Sequence, residues 1–392
     1  MFHKKTAVIG LSVLSSLYSV SSSAYDADAI SINGFGSIIA GQTLDSDEAL
    51  YSYDEDISFQ EESRFAIQVA APIGEKFSAT AQIMARGRDD FDPQFEWAYV
   101  SYQATENVIV MAGRQRFNLY KYSDYLDVGY AYHWIRPPQG VYSVPFNSGN
   151  GLGFLYHESF DEFDFQASYK MLAESISDYV PSGTDGIQPA KFEAKLSHLI
   201  NLDFTRDSFN FGLNFALVPD LSYEAVELVS LEAALNSGLT PAQVEAIMKD
   251  VRINNEKAQF YGGYIGYDTG DWFLLSEYTK YEFDEANAFS DQESVYLSAG
   301  IRINEFTFHA SYGRDKNKPT SKADQLVPDP TLAAAVKQAI TSQQEDSNSY
   351  SIGARWEVEG GVALKVDYTS LNDDHDDSSD ADMVSMGIDF VY

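Results

Sequence analysis

The chain has 392 residues, with 26 Lys and Arg against 59 Asp and Glu, a formal charge of −33. That surplus repels phosphate backbones, which are bound through cations that displace condensed counterions, so nucleic acid is excluded as a partner. No cysteine is present, which removes disulfides, thiolate metal sites and cysteine nucleophiles together.

At the N-terminus His3, Lys4 and Lys5 precede an apolar stretch from Thr6 to Val20 and the small residues Ser22, Ser23 and Ala24. This is the pattern of a cleaved secretory leader, residues 1–24, and it leaves 25–392 as one domain. Read instead as an anchor, the stretch is interrupted by Ser12, Ser15, Ser16 and Ser19 and falls short of the ~20 apolar residues that a spanning helix needs.

Beyond the leader the recurring signal is period two. Phe163, Phe165, Ala167, Tyr169 and Met171 alternate with Asp164, Gln166, Ser168 and Lys170. Phe209, Phe211, Leu213, Phe215 and Leu217 alternate with Asn210, Gly212, Asn214 and Ala216. The same rhythm runs through 295–303, 306–312 and 350–356, as strands with a different solvent on each face require. Tight turns near 72–75, 161–162, 269–270, Asn304 and 359–361 alternate with long connections at 43–58, 118–150, 174–190, 218–256, 316–346 and 372–381. Together these predict an all-β transmembrane antiparallel barrel of about 16 strands, with both termini at the end that carries the short turns. A mean hydropathy of −0.26 does not oppose this, because only alternate residues of such a strand meet lipid.

Two of the long connections, 218–256 and 316–346, carry helix signals. Thr240-Pro241-Ala242-Gln243 supplies an N-cap, Pro at the first helical position and Gln at the third, and Asp329-Pro330 opens an Ala-rich run to Ile340.

The opening strand Ile32-Asn33-Gly34-Phe35-Gly36 is similar to the first strand of Gram-negative outer-membrane porins. Ala112-Gly113-Arg114-Gln115-Arg116 resembles their fifth strand, and the closing run from Val384 resembles their C-terminal strand, apolar at every second residue counted back from Tyr392. The likeness covers Ile30 to Tyr392 and is one of architecture more than motif. It implies a trimeric barrel in the bacterial outer membrane, surrounded by lipid and lipopolysaccharide, whose water-filled pore passes small hydrophilic solutes by diffusion. It also implies short periplasmic turns and a third external loop, here 118–150, folded into the lumen as a constriction. Trp134 and the many tyrosines of that segment agree, since large rings lose exposed apolar surface by packing against a wall. The Pro-Glu-Phe-Gly stretch of enterobacterial members is absent.

Pore residues follow from parity. With Phe65, Ile67 and Val69 toward lipid, Arg64 and Gln68 face the lumen, because a one-residue slip would put the Arg in hydrocarbon at a cost of about 2–4 kcal/mol. The same parity places Gln82 and Arg86 inside, and Arg114 with Arg116 on one face of the fifth strand, so four guanidinium groups are expected to line one wall. Facing Asp124 and Asp127 across a narrow gap, they would set up a transverse field that orders water and orients dipolar solutes. The competing reading places them in wall salt bridges with Glu62 or Glu96. Arg302, Arg355 and Lys365 are expected in the lower lumen. The acidic run Asp373, Asp374, Asp376 and Asp377 offers hard oxygen ligands to Ca²⁺ or Mg²⁺, although a solvated loop is the plainer expectation; no other cofactor is expected.

Catalysis is not expected. His309 and Ser311 share lumen parity, but nothing marks a nucleophile elbow or a third partner. A substrate-specific channel for sugars or anions and a non-conducting adhesive barrel remain the alternative functions.

Overall fold

The computed structural model describes residues 30–392 apart from Asp47, Pro145, 180–189, Ala225, Ser290, Gln343 and 376–378. The expected leader lies outside them, as do Asp376 and Asp377. Sixteen antiparallel strands close into one barrel in sequence order. They are β1 (Ser31–Thr43), β2 (Arg64–Ile73), β3 (Phe77–Arg86), β4 (Gln94–Gln103), β5 (Val108–Arg116), β6 (Ser148–Ser159), β7 (Asp164–Tyr179) and β8 (Ala190–Arg206). The second half comprises β9 (Phe209–Glu224), β10 (Glu256–Asp268), β11 (Trp272–Phe283), β12 (Gln292–Ile303), β13 (Phe306–Asn317), β14 (Glu345–Glu359), β15 (Val362–Asp373) and β16 (Ala381–Val391).

The alternation sorts side chains as two solvents demand. Phe65, Ile67, Phe211, Leu213, Leu297, Ile301, Phe308 and Ile352 stand on an exposed apolar belt, the face that meets lipid. Gln82, Asn201, Asn214, Ser298 and Ser385 are buried on the alternate, lumen-facing side. Among the described residues no helix is long and apolar enough to cross a membrane; the strands do the crossing. The seam joins β1 to β16, from Phe35 opposite Val391 to Thr43 opposite Met383. Gly34 and Tyr392 exchange backbone hydrogen bonds of 3.0 Å in each direction. A Cβ at Gly34 would lie 2.2 Å from the Tyr392 ring, so the terminal aromatic lies over a residue without a side chain.

Tight turns fall where the sequence places them, but the long connections have other bounds than expected: that at 43–58 lengthens to 44–63, between β1 and β2, while several others shorten. The segment expected at 118–150 begins after Arg116 and ends before Ser148, since 148–150 already pair with β5. Likewise β9 continues to Glu224 and β10 starts at Glu256, with Ala258 opposite Val218, so the connection expected at 218–256 shrinks to 225–255. That at 316–346 shrinks to 318–344, because Lys316 still pairs with Asp346. Backbone ladders outlast the amphipathic pattern wherever a neighbouring strand offers partners, and the hydropathy pattern does not record this.

Among the described residues three α-helices lie at the end opposite the tight turns: α1 (Val226–Asn236), α2 (Pro241–Val251) and α3 (Pro330–Thr341). Asp329 Oδ1 caps α3 by accepting from Thr331 N and Leu332 N at 2.9 Å, and Gln243 Oε1 accepts from Thr240 N at 3.0 Å at the start of α2. Leu235, Ile247, Met248, Val251, Val336 and Ile340 bury one another in a small core with Ala288 and Val327. The sequence signals α2 and α3; α1 has neither a cap motif nor a clear apolar stripe.

Candidate functional site

Residues 117–147, between β5 and β6, close at their base with Phe117 N donating to Asn147 O at 2.9 Å. The segment then bonds to lumen-facing side chains of strands on every side, from β2 round to β16.

One flank is ionic. Asp127 accepts from Arg116 Nη2 and, at 3.2 Å, from Arg86 Nη2. Arg86 also pairs with Glu96 at 2.6 Å, and Arg116 lies 3.6 Å from the same carboxylate. Arg64 reaches the segment differently, donating to the Asp127 carbonyl at 2.8 Å and to the Tyr132 hydroxyl at 3.0 Å. Arg86, Arg116, Glu96 and Asp127 are all buried, a state that charges tolerate only when paired. Burial alone would raise the Asp127 pKa, yet Arg86 and Arg116 hold it well below the usual carboxylate range. Nearby, Arg136 Nε donates to Glu62 at 2.8 Å and its Nη2 to Ser385 at 2.8 Å, with the guanidinium 5.1 Å from the Tyr51 ring centre.

Across the seam the segment's backbone is held directly. Lys365 Nζ donates to the carbonyls of Gly129 and Trp134, both at 2.6 Å, and pairs with Asp389 at 2.8 Å. Arg355 donates to the carbonyls of Tyr130 and Tyr132 at 2.6 and 3.0 Å. Arg302 makes no such contact and pairs with Asp268 at 2.7 Å.

The opposite flank is aromatic. Phe117 meets Phe146 edge-on at 4.7 Å, Tyr120 lies 4.7 Å from Tyr142 and 5.6 Å from Phe260, and Trp134 lies 5.7 Å from Tyr296. Leu172, Leu199, Ala216, Val218 and Leu275 complete this core from β7 to β11. Glu277 is embedded in it, accepting from Lys121 N and Tyr142 Oη at 2.7 Å.

Of the four arginines expected on one wall, the structure brings three together on Asp127 and separates the fourth. Arg114 pairs with Glu174 at 2.6 Å. Gly113, next to Arg114, takes φ +131°, and Arg114 is the last β5 residue in register with β4. Nor does a gap divide the cluster from Asp127, since the groups touch. Asp124 stands apart, half-buried, accepting from Asn118 Nδ2 at 3.3 Å. Asp374 pairs with Arg314 at 3.1 Å, and Asp373 accepts from His375 N at 2.8 Å. Among the described residues no three acidic or histidine side chains are grouped to hold a metal ion.

Sequence reasoning missed Glu277 and the apolar lumen from β7 to β11. A signal was present, since the run Trp272-Phe273-Leu274-Leu275 is apolar at consecutive positions, the mark of a strand with apolar surroundings on both faces.

A family model described as Gram-negative porin matches residues 10–392. No curated protein matches the sequence. Among solved structures the fold is similar to OmpF of Salmonella typhi in complex with daunomycin, with TM-score 0.60 and 14% identity over 94% of this chain and 99% of that one. It is also similar to the trimer form of OmpT, an outer membrane protein of Vibrio cholerae, with TM-score 0.55 and 11% identity over 94% and 100%. A mutant of Rh. blastica porin gives TM-score 0.51 and 14% identity over 93% and 100%. At these identities the likeness is one of fold.

Proposed function

The chain belongs to the Gram-negative porin family and is a channel of the bacterial outer membrane, and on that premise we propose that it passes small hydrophilic solutes and ions by passive diffusion through a lumen narrowed by residues 117–147. The observation that carries this reading is the ring of bonds from that segment to lumen-facing Arg64, Arg116, Glu277, Ser311, Arg355 and Lys365. Within it Arg64, Arg86 and Arg116 act first as the ionic anchor of Asp127, and Asp124 is the acid of the segment that meets permeating ions. Lys365 and Arg355 hold the backbone from the far wall.

The channel works without a catalytic step. Support comes from Ser311, whose hydroxyl is tied to Ser298 at 2.8 Å and to Trp134 Nε1 at 2.8 Å. A homotrimer in lipid and lipopolysaccharide is supported by the trimer form of the Vibrio cholerae neighbour and by the continuous apolar belt.

Single-channel recording of refolded protein in a planar bilayer tests the reading. Stepwise openings in threes are expected, and the reversal potential in a salt gradient measures whether Asp124 or the arginine cluster dominates permeation. Correctly folded protein that conducts nothing would reject an open channel.

A further inference from the structure

A side cavity of about 370 Å³ opens to solvent where the segments 44–63 and 117–147 meet the wall of β13–β15, and it is lined in part by Tyr51, Arg136, Ser311, Ser351, Asp367 and Thr369. Three of these residues form one row across adjacent strands, with Ser311 opposite Ser351 and Ser351 opposite Thr369. Hydroxyl-bearing side chains therefore recur along the wall at the interstrand spacing of about 4.8 Å. Ser311 is already bonded to Ser298 and to Trp134 Nε1, both at 2.8 Å, and Ser351 and Thr369 carry the row on to β15.

Two buried charges complete the lining, and their demands are opposite. Arg136 is fixed by Glu62, which accepts from its Nε at 2.8 Å, and by Ser385, yet its Nη1 has no hydrogen-bond partner among the described residues. Asp367 Oδ2 accepts from Ile135 N at 2.8 Å, whereas Oδ1, 3.2 Å from His309 Nε2 but without hydrogen-bond geometry to it, accepts none. Arg136 is 8% exposed and Asp367 3%, and polar atoms left unbonded at such burial call for a partner. The guanidinium N–H needs an acceptor and the carboxylate oxygen a donor; a hydroxyl group is both. Glu62 and Asp367 outnumber Arg136, so an anion is repelled, while a cation would meet the Arg136 N–H groups. A neutral solute with several hydroxyls satisfies every group, and the Tyr51 ring, its centre 5.1 Å from the guanidinium, offers apolar surface to the solute's C–H groups.

We propose that this cavity is a binding subsite for neutral polyhydroxylated solutes such as monosaccharides, held between the two inward segments and the hydroxyl row on their way through the pore. The subsite rests on the reading that the chain is a diffusion channel narrowed by 117–147. Single-channel records with D-glucose added at rising concentration test it on the wild type, on Asp367→Asn, on Ser351→Ala combined with Thr369→Val, and on Ser101→Ala as a control, whose hydroxyl bonds to Ser78 on another wall. Stepwise openings certify that each protein has folded, and if one subsite variant fails to open the other decides. Glucose should lower the wild-type open current along a saturating curve with its midpoint at about 1–10 mM. The midpoint should rise about tenfold in Asp367→Asn and about threefold in the hydroxyl variant, and stay level in the control. Gluconate, a similar polyol carrying a carboxylate, should need about tenfold more than glucose. Silence of the wild type would overturn the channel reading itself. A current that falls only in proportion to added glucose, a midpoint equal in wild type and subsite variants, or gluconate acting as well as glucose would overturn the subsite alone.

Discussion

The two flanks of residues 117–147 are fastened by different chemistry. Toward β2–β5 a single carboxylate, Asp127, collects Arg86 and Arg116 on its side chain and Arg64 on its carbonyl. Toward β7–β12 the attachment is spread over Phe117, Tyr120, Tyr142, Phe146 and Trp134. The ionic flank concentrates its dependence on one residue, because removing one partner leaves buried charges uncompensated. The aromatic flank divides its dependence among many rings, each contributing by area and fit.

The largest expected effect follows from that concentration. Asp127→Ala should weaken docking of the segment by about 3–5 kcal/mol, read as faster hydrogen exchange across 117–147 and as raised conductance. Phe146→Ala removes a ring packed between Phe117 and Phe192 and should cost about 3 kcal/mol, with faster exchange near the base of the segment while the Asp127 contacts stay protected. If both variants loosened the whole segment equally, the division into two flanks would be wrong. Arg114→Gln should cost only about 0.5 kcal/mol, as for a partly exposed ion pair, and leave conductance and reversal potential close to wild type. A large shift would return Arg114 to the wall that faces the permeant.

The smallest expected change concerns pH. A carboxylate with a depressed folded-state pKa contributes its full stability above the unfolded value of about 4 and loses it only as pH falls through the lower folded value. Protection of 123–128 should therefore stay constant between pH 7 and 5. Loss of protection in that window would mean that Asp127 is not held by its arginines.

Much of the barrel was legible because lipid and water impose opposite demands on alternate residues, as in Phe306-Thr307-Phe308-His309. Arg64 and Arg86 were legible for the same reason, since hydrocarbon excludes them from the other parity. Arg114 was expected beside Arg116 because the two share one parity, but its partner Glu174 lies on β7, which period counting does not see. The aromatic flank was hidden because the lumen was assumed to be wet, so Leu172, Leu199 and Leu275 were not expected to find apolar partners there. Lys365 and Arg355 bond to backbone carbonyls of residues 129–134, partners that depend on the path of a distant loop, which no local pattern encodes.

The seam between β1 and β16 also constrains the order of assembly. Residues 129–136 bond to Lys365, Ser385 and Arg355 on the strands nearest that seam, although they are connected at β5 and β6. A partly formed sheet of β1–β12 can dock the aromatic flank but has no wall for the backbone-holding lysine and arginine. The last fastenings of the segment can therefore form only once β14 to β16 are in place. Closure of the cylinder and the last fastenings of residues 117–147 thus depend on the same strands.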